Sequence, residues 1–305
     1  MKQAIDKAEA LVEAHQYIRG FQNKTVVVKI GGSIMDQAES LARLLADICF
    51  MDTVGMRPVL VHGGGKAITA AMQQAGLEAQ FVQGRRYTDQ RTLAIAEHVL
   101  CNDINRDIVA QITQLGHKAM GLHSLASCAV FAKRLFLTAD GNAAEGGAEN
   151  GGANGQRRID IGLVGQVDRV NADVLRALIE AGYIPVIAPI ARDSAGGKLN
   201  VNADSVAGYV AAALKAEKLV LVSDTHGIRT DSGDPESLAT HLDRAQIEQL
   251  THNNVVSAGM LPKVEAALVA LEAGVTKAHI IDGRIPHSLL LEIYTDTGIG
   301  TEIVL

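Results

Sequence analysis

Two stretches of this chain place glycine clusters directly after strongly β-forming residues. Lys29-Ile30-Gly31-Gly32-Ser33 follows Thr25-Val26-Val27-Val28, and further on comes Val59-Leu60-Val61-His62-Gly63-Gly64-Gly65. Glycine has no Cβ, so its backbone N–H can approach an anion closely. If a helix follows each turn, the N–H groups of its first turn add partial positive charge. Two such turns side by side would cradle a phosphoryl group in transit, with Lys29 at the end of the first. A lysine closing a buried parallel strand needs a partner or a ligand, unless its chain reaches the surface.

Other candidate groups lie further along. Gly84-Arg85-Arg86-Tyr87-Thr88-Asp89 puts adjacent arginines ahead of a helix, where one fork could grip a carboxylate. A solvated charge pair is the alternative. Asn200-Val201-Asn202-Ala203-Asp204 opens an amphipathic stretch; Asn202 suits a helix cap, and the polar cluster also suits ligand recognition. Val220-Leu221-Val222 runs into Ser223-Asp224-Thr225-His226-Gly227, a polar turn at a strand's carboxyl end, where open α/β sheets bind ligands. Gly259-Met260-Leu261-Pro262-Lys263 sets a second lysine at a helix start, against the helix dipole, which an anion nearby would explain.

Familiar nucleotide signatures fail. Gly65-Lys66 resembles the end of a P-loop, but Leu60 holds the place of its first glycine and Ala67 that of its Ser/Thr. Ile68 breaks the dinucleotide fingerprint, and no GxSxG elbow is present.

These groups must be positioned by alternating short apolar runs and longer amphipathic ones. Strands are expected at 25–30, 57–62, 118–123, 184–188, 218–223 and 278–282. Helices are expected at 38–55, 66–75, 91–114, 172–181, 204–215, 244–250 and 263–273. That alternation predicts a mostly parallel sheet covered on both faces. The region from 125 to 168 reads as short β pieces around a loop, and residues 139–154 hold no hydrophobe larger than alanine. Such a segment should be disordered, as a neutral insertion or, less favoured, a substrate lid. Residues 3–20 show helical spacing, either packing on their own domain or projecting as an oligomerisation arm.

Composition narrows the function. The chain has 305 residues, 48% hydrophobic and 20% charged, enough for one large α/β domain or two lobes. With no Trp and 3% aromatics, the core must be built from Val, Ile, Leu and Ala. A net charge of −6 and the scarcity of stacking rings argue against nucleic-acid binding. Anionic substrates would then require local positive charge, from Lys29, Arg86 and Lys263. Cys49, Cys101 and Cys128 have no metal or disulfide spacing and read as buried thiols; no metal site is expected. The charged start Met1-Lys2 is unlike a signal peptide, and no apolar run is long enough to span a membrane. The cytoplasm is the expected location.

As a set, VVVKIGGS, VHGGGK, GRRYTD, LNVNAD, VSDTHGI, SAGMLPKVEAAL and AHIIDGR resemble the amino acid kinase family from about Tyr17 to Leu305. The resemblance implies a three-layer α-β-α sandwich with a mainly parallel central sheet, in two lobes. It divides the chain into an oligomerisation helix (1–22), an N-terminal lobe binding N-acetyl-L-glutamate (23–195) and a C-terminal lobe binding ATP (196–305). The implied reaction, in arginine biosynthesis, moves the γ-phosphoryl group of ATP to the substrate's side-chain carboxylate, with Mg²⁺ held mainly by phosphate oxygens. By position, Lys29 and Lys263 would stabilise the transition state, Asp204 would hold both lysines, and Gly32 and Gly64 would offer N–H groups. Gly64, Gly65, Arg86 and Asn200 would bind the acceptor, while Asp224, Gly227, Gly259 and Met260 would surround the nucleotide. Arg85, Ala258 and the pair Thr225-His226 depart from the usual family pattern.

Within the family, the N-terminal helix and the C-terminus resemble an arginine-inhibited, hexameric branch. Tyr17, His279, Glu292 and Gly298 would then belong to an L-arginine site; a short helix and edge strand with no ligand is the alternative. Candidate partners are the substrate, L-arginine, further copies of the chain and a PII-type regulator. Competing readings are a sibling kinase of carrier-bound aminoadipate and a non-catalytic arginine sensor.

Overall fold

The computed structural model describes residues 1–123, 129–138, 158–231, 233–234, 236–253, 255–256, 259–295 and 298–305, leaving aside the side chains of 3, 4, 6, 7, 10 and 11. The expectations for 139–154, Cys128 and Ala258 lie outside these residues.

The chain begins with α1 (Lys2–Phe21), β1 (Thr25–Ile30), a single turn α2 (Gly32–Met35), α3 (Ala38–Thr53), β2 (Arg57–His62) and α4 (Gly65–Gln74). A tight hairpin, β3 (Phe81–Val82) and β4 (Arg85–Arg86), leads to α5 (Gln90–Glu97), a π-helical segment (His98–Ile104) and α6 (Asn105–Gln114). Then come β5 (Ala119–Leu122), β6 (Val130–Leu137), β7 (Ile159–Val170), α7 (Ala172–Glu180), β8 (Ile184–Ile187), β9 (Ile190–Arg192), β10 (Lys198–Val201) and α8 (Ala203–Leu214). The last part holds β11 (Lys218–Ser223), β12 (His241–Leu242), α9 (Arg244–His252), α10 (Leu261–Glu272), β13 (Lys277–Asp282), α11 (Ser288–Tyr294) and β14 (Thr301–Ile303).

Among the described residues, eight strands form one sheet in the order β12-β14-β13-β11-β1-β2-β8-β5. All its pairs are parallel except β13 with β14. Strand period two sorts the side chains onto two faces. Val26, Val28 and Ile30 pack with α3, α6 and α11, whereas Val27 packs with α8 and α10. Helices thus cover both faces, as the alternating pattern predicts. Lys29 shares the face of Val27 and therefore points toward α8, in an otherwise apolar layer.

Two expectations need correction. The described parts of the middle region are not short pieces: β6 and β7 have 8 and 12 residues and close a small barrel with β9 and β10. Register shifts at Phe131/Ala132 and Arg134/Phe136 interrupt the strict alternation that would have marked them as long strands. The expected helix 91–114 is helical throughout, but its middle segment is π-helical. The buried Leu93, Ala96 and Leu100 and the buried Ile108 and Ile112 keep three- or four-residue spacing, so periodicity alone does not separate the two windings.

The last turns of α1 pack on the body through Phe21, which meets Tyr294 edge-on at 6.5 Å, while Ile5 and Val12 are exposed. No helix among the described residues is long and apolar enough to cross a membrane. Cys49 and Cys101 are buried, and burial pushes their thiols up to about 11 and about 12.

Candidate active site

The carboxyl ends of β1 and β2 bring the two glycine turns together. The position a Cβ would take on Gly32 lies 3.5 Å from the Gly65 nitrogen and 3.7 Å from the Gly64 nitrogen. A Cβ on Gly64 would sit 2.6 Å from Leu100 Cδ2 and 2.8 Å from Ile104 Cδ1, so any larger residue there would push these two side chains aside. Among the described residues, the N–H groups of Gly32, Gly64 and Gly65 find no acceptor. Such groups at helix starts are donors that an anion could meet.

Beside them sits a buried three-charge cluster. Lys29 Nζ lies 2.8 Å from Asp204 Oδ1, and Lys263 Nζ lies 3.6 Å from Asp204 Oδ2. Asp204 stands in the first turn of α8, whose N-cap is Asn202; the Asn202 Oδ1 accepts from the N–H of Asp204 at 2.8 Å and of Ser205 at 3.1 Å. The capping reading of Asn202 thus holds, and the cap orients Asp204. The carboxylate is 5% exposed, and its Oδ1 makes no well-aligned hydrogen bond, so charge rather than directional bonding compensates its burial. Burial pushes the Asp204 carboxyl up, but the Lys29 and Lys263 ammoniums outweigh it and hold it below the ordinary range. The Lys263 ammonium is pulled below its usual value by burial and by Lys29, against the attraction of Asp204. The anion sought beside Lys263 is therefore this carboxylate, reached from the first turn of α10.

This cluster forms part of the wall of a cavity of about 370 Å³. Lys29, Gly32, Gly64, Gly65, Asn200 and Asp204 line it, as does Arg86. Lys263 adjoins it through Asp204. Arg86 lies on a hairpin strand rather than directly before a helix, because the left-handed Gln83 and Gly84 turn the chain back. Its Nη2 donates to the Gly65 carbonyl and Thr69 Oγ1, both at 2.8 Å, and its guanidinium stacks 4.9 Å over Phe81. Among the described residues it pairs with no carboxylate. Asn200 Nδ2 donates to Thr88 Oγ1 at 3.2 Å, across the barrel wall.

A second cavity, of about 380 Å³, opens beyond β11 and contains Asp224, Gly227 and Met260. Gly259 does not line it, although its carbonyl lies 3.4 Å from Lys263 Nζ. Thr225 and His226 also line it, as does Arg284, which the sequence reading passed over. Asp282 holds the Arg284 guanidinium through bonds of 2.6 and 2.9 Å, and the AHIIDGR motif contains both residues.

A third cavity, of about 500 Å³, lies on the far side of the sheet. Tyr17, His279, Glu292 and Gly298 all line it, so residues distant in sequence meet there. His279 Nδ1 donates to Glu292 Oε1 at 2.6 Å, and Glu292 Oε2 accepts from the Ile299 and Gly300 N–H groups. Burial raises the Glu292 carboxyl, but these donors hold it below its usual range. Lys218 Nζ, missed from the sequence, lies 3.2 Å from His279 Nε2.

The charge around the first cavity suits an anionic group in transit, which places the chain among α/β proteins built for phosphoryl transfer. The sequence model of the amino acid kinase family matches residues 24–282, and the chain belongs to that family. An acetylglutamate kinase from Moorella thermoacetica is 45% identical over 302 residues, covering 98% of each chain. One from Symbiobacterium thermophilum is 45% identical over 303 residues, covering 99% of each. Among solved structures, N-acetylglutamate synthase from Neisseria gonorrhoeae, complexed with coenzyme A and N-acetyl-glutamate, aligns with a TM-score of 0.80 at 25% identity. That alignment covers 98% of this chain and 63% of the synthase, which is therefore substantially longer.

Proposed function

We propose that this protein transfers the γ-phosphoryl group of ATP to the side-chain carboxylate of N-acetyl-L-glutamate, forming N-acetyl-L-glutamyl 5-phosphate for arginine biosynthesis. The observation that carries this reading is the pair of buried lysines held by one aspartate beside two glycine turns with free N–H groups. The full-length relatives of that name support the choice of acceptor.

The acceptor carboxylate is ionised near neutral pH, so no general base is needed. Catalysis rests on alignment and charge. Arg86 and Asn200 would grip the acceptor, with Gly64 and Gly65 against it. Lys29 would reach the transferred group from the acceptor side and Lys263 from the nucleotide side. The Gly32 and Gly64 N–H groups would meet its oxygens. Asp204 would act through the lysines, holding both ammoniums in place. Because two lysines already neutralise it, Asp204 is a poor metal ligand. Mg²⁺ would arrive on the nucleotide phosphates and neutralise their charge there.

Asp224, Gly227, Gly259 and Met260 would surround the nucleotide. Residues 23–195 would form the acceptor lobe and 196–305 the nucleotide lobe. The cavity around Tyr17, His279, Glu292 and Gly298 would bind L-arginine, whose guanidinium suits the fixed Glu292 carboxylate. Helix α1, with Ile5 and Val12 exposed, would join subunits into a hexamer and carry the inhibitory signal. A cytoplasmic location fits this metabolism, and a PII-type regulator would act on such an assembly.

The test is an ADP-release assay with N-acetyl-L-glutamate, L-glutamate and 2-aminoadipate as acceptors. Turnover with the first alone is expected. Preference for aminoadipate would transfer the reading to the sibling kinase, and no turnover with any acceptor would favour the sensor.

A further inference from the structure

His62 ends β2 and is wholly buried beneath the glycine turn. Its Nδ1 lies 3.0 Å from the Gly63 carbonyl oxygen, and its Nε2 lies 3.1 Å from Asn105 Nδ2. A carbonyl can only accept, so Nδ1 carries the proton. Asn105 Nδ2 also donates to the Val186 carbonyl at 2.9 Å, which fixes the amide nitrogen between two acceptors. Nε2 is therefore bare. Burial pushes the imidazole down to about 4, keeping the ring neutral.

Asn105 is itself 2% exposed and begins α6, directly after the π-helical segment. That segment supplies Leu100 and Ile104, the side chains closest to Gly64. Gly121 on β5 makes room for the amide: a Cβ there would lie 2.1 Å from Asn105 Oδ1. In this buried polar chain both ring nitrogens of His62 and the Asn105 amide nitrogen have partners.

The chain controls one peptide plane. The peptide bond between Gly63 and Gly64 is trans, so the Gly63 C=O and the Gly64 N–H point in opposite directions. The Gly63 N–H is already bound to the Ile30 carbonyl at 3.0 Å. Between two glycines, nothing in the side chains would stop this peptide from flipping. We propose that His62 and Asn105 are positioning residues: by holding the Gly63 carbonyl they turn the Gly64 N–H toward the group being transferred. This rests on the kinase reading above, and it adds a role for the buried histidine and for the π-helical segment that presents Asn105.

The kinetic test compares His62→Leu, His62→Asn and Gly121→Ala with the wild-type chain. A misdirected donor should act in the transition state, so His62→Leu is expected to lower kcat on the order of 10²-fold while both KM values barely change. The His62→Asn amide reaches the Gly63 carbonyl in place of Nδ1 and should restore kcat to within about tenfold of wild type, since it returns one hydrogen bond of the two. Gly121→Ala, pressing on Asn105, should lower kcat in the same direction. Wild-type kcat in folded His62→Leu, a loss confined to KM, or no recovery in His62→Asn would overturn the proposal. If His62→Leu does not fold, the other two variants decide the kinetics. Long-range ¹⁵N NMR of the histidine-labelled wild-type chain gives a readout independent of activity. A protonated Nδ1 and a bare Nε2 at pH 7 are expected; an Nε2–H tautomer or an imidazolium would refute the arrangement. Absence of transfer in the wild type would count against the kinase reading, while the tautomer decides the clamp.

Discussion

Replacing Asp204 by Asn keeps the shape of the side chain and removes its charge. In the wild type, Asp204 lies 2.8 Å from one ammonium and 3.6 Å from another, with all three side chains largely buried. At an effective dielectric of about 20, these contacts correspond to roughly 6 and 5 kcal/mol of attraction before desolvation is subtracted. Desolvation offsets most of that, but removing one partner of a buried charge group still costs about 3–5 kcal/mol. Denaturant unfolding of Asp204→Asn should show a stability loss of that order. Lys263 would respond by giving up its proton. Lys263 already sits below its ordinary value, and losing Asp204 removes what opposes that shift. A neutral Lys263 cannot stabilise phosphoryl oxygens, so kcat should fall on the order of 10²–10³ at pH 8, with much smaller changes in KM. Activity of the variant should then rise as pH falls, because acid restores the ammonium. The assay is initial-rate kinetics of wild type and Asp204→Asn between pH 6 and 9. A folded variant with near-wild-type kcat throughout, or one whose whole defect lies in KM, would refute the reasoning.

Arg86→Lys loses the planar fork. It should raise the KM for N-acetyl-L-glutamate and leave that for ATP nearly unchanged; equal weakening of both would count against the assignment. His62 is neutral when folded, with a pKa near 4 against 6.5 for an ordinary imidazole. Its folded value is depressed, so the unfolded chain binds the extra proton as pH falls through 6.5, and stability is lost in that window. The expected penalty between pH 7 and pH 5 is about 2 kcal/mol, read as the pH-dependent part of the difference between wild type and His62→Asn in urea unfolding. Asp204 has the opposite chemistry but the same direction: its carboxyl is held low, so its contribution is complete above the ordinary carboxylate range and fades at lower pH. Deleting residues 1–20 should break a hexamer into smaller species in light scattering and weaken inhibition by L-arginine while basal turnover persists. Unchanged mass and inhibition would remove α1 from both roles.

The parts of the fold that the sequence made legible are those where one periodicity dominates. β1, β2 and β11 match their expected bounds because each has a compact apolar centre and runs into a polar or glycine turn. The barrel was not legible because bulges and glycines break the alternation of β6 and β7, and its pairing joins distant segments. The π-helical winding was hidden by apolar spacing that an α-helix shares. At the site, Lys29 and Lys263 announced themselves as cations in unfavourable places, and the structure shows the common partner that spacing could not connect. Arg284, Lys218 and Asn105 gave no such signal: each is an ordinary residue type in its element, and its role arises from a neighbour brought in by the sheet order. His62 stood in plain view before the glycine turn, but only burial shows that its ring is held neutral.

The central claim is that an acyl phosphate forms on N-acetyl-L-glutamate. Hydroxylamine traps acyl phosphates as hydroxamates, so the most direct measurement is hydroxamate formation by the full chain with Mg-ATP and N-acetyl-L-glutamate. The account predicts N-acetylglutamyl hydroxamate in step with ADP, dependent on both substrates and lowered on the order of 10²-fold or more in Lys263→Ala. ADP released without hydroxamate, or wild-type hydroxamate yield from Lys263→Ala, would contradict it.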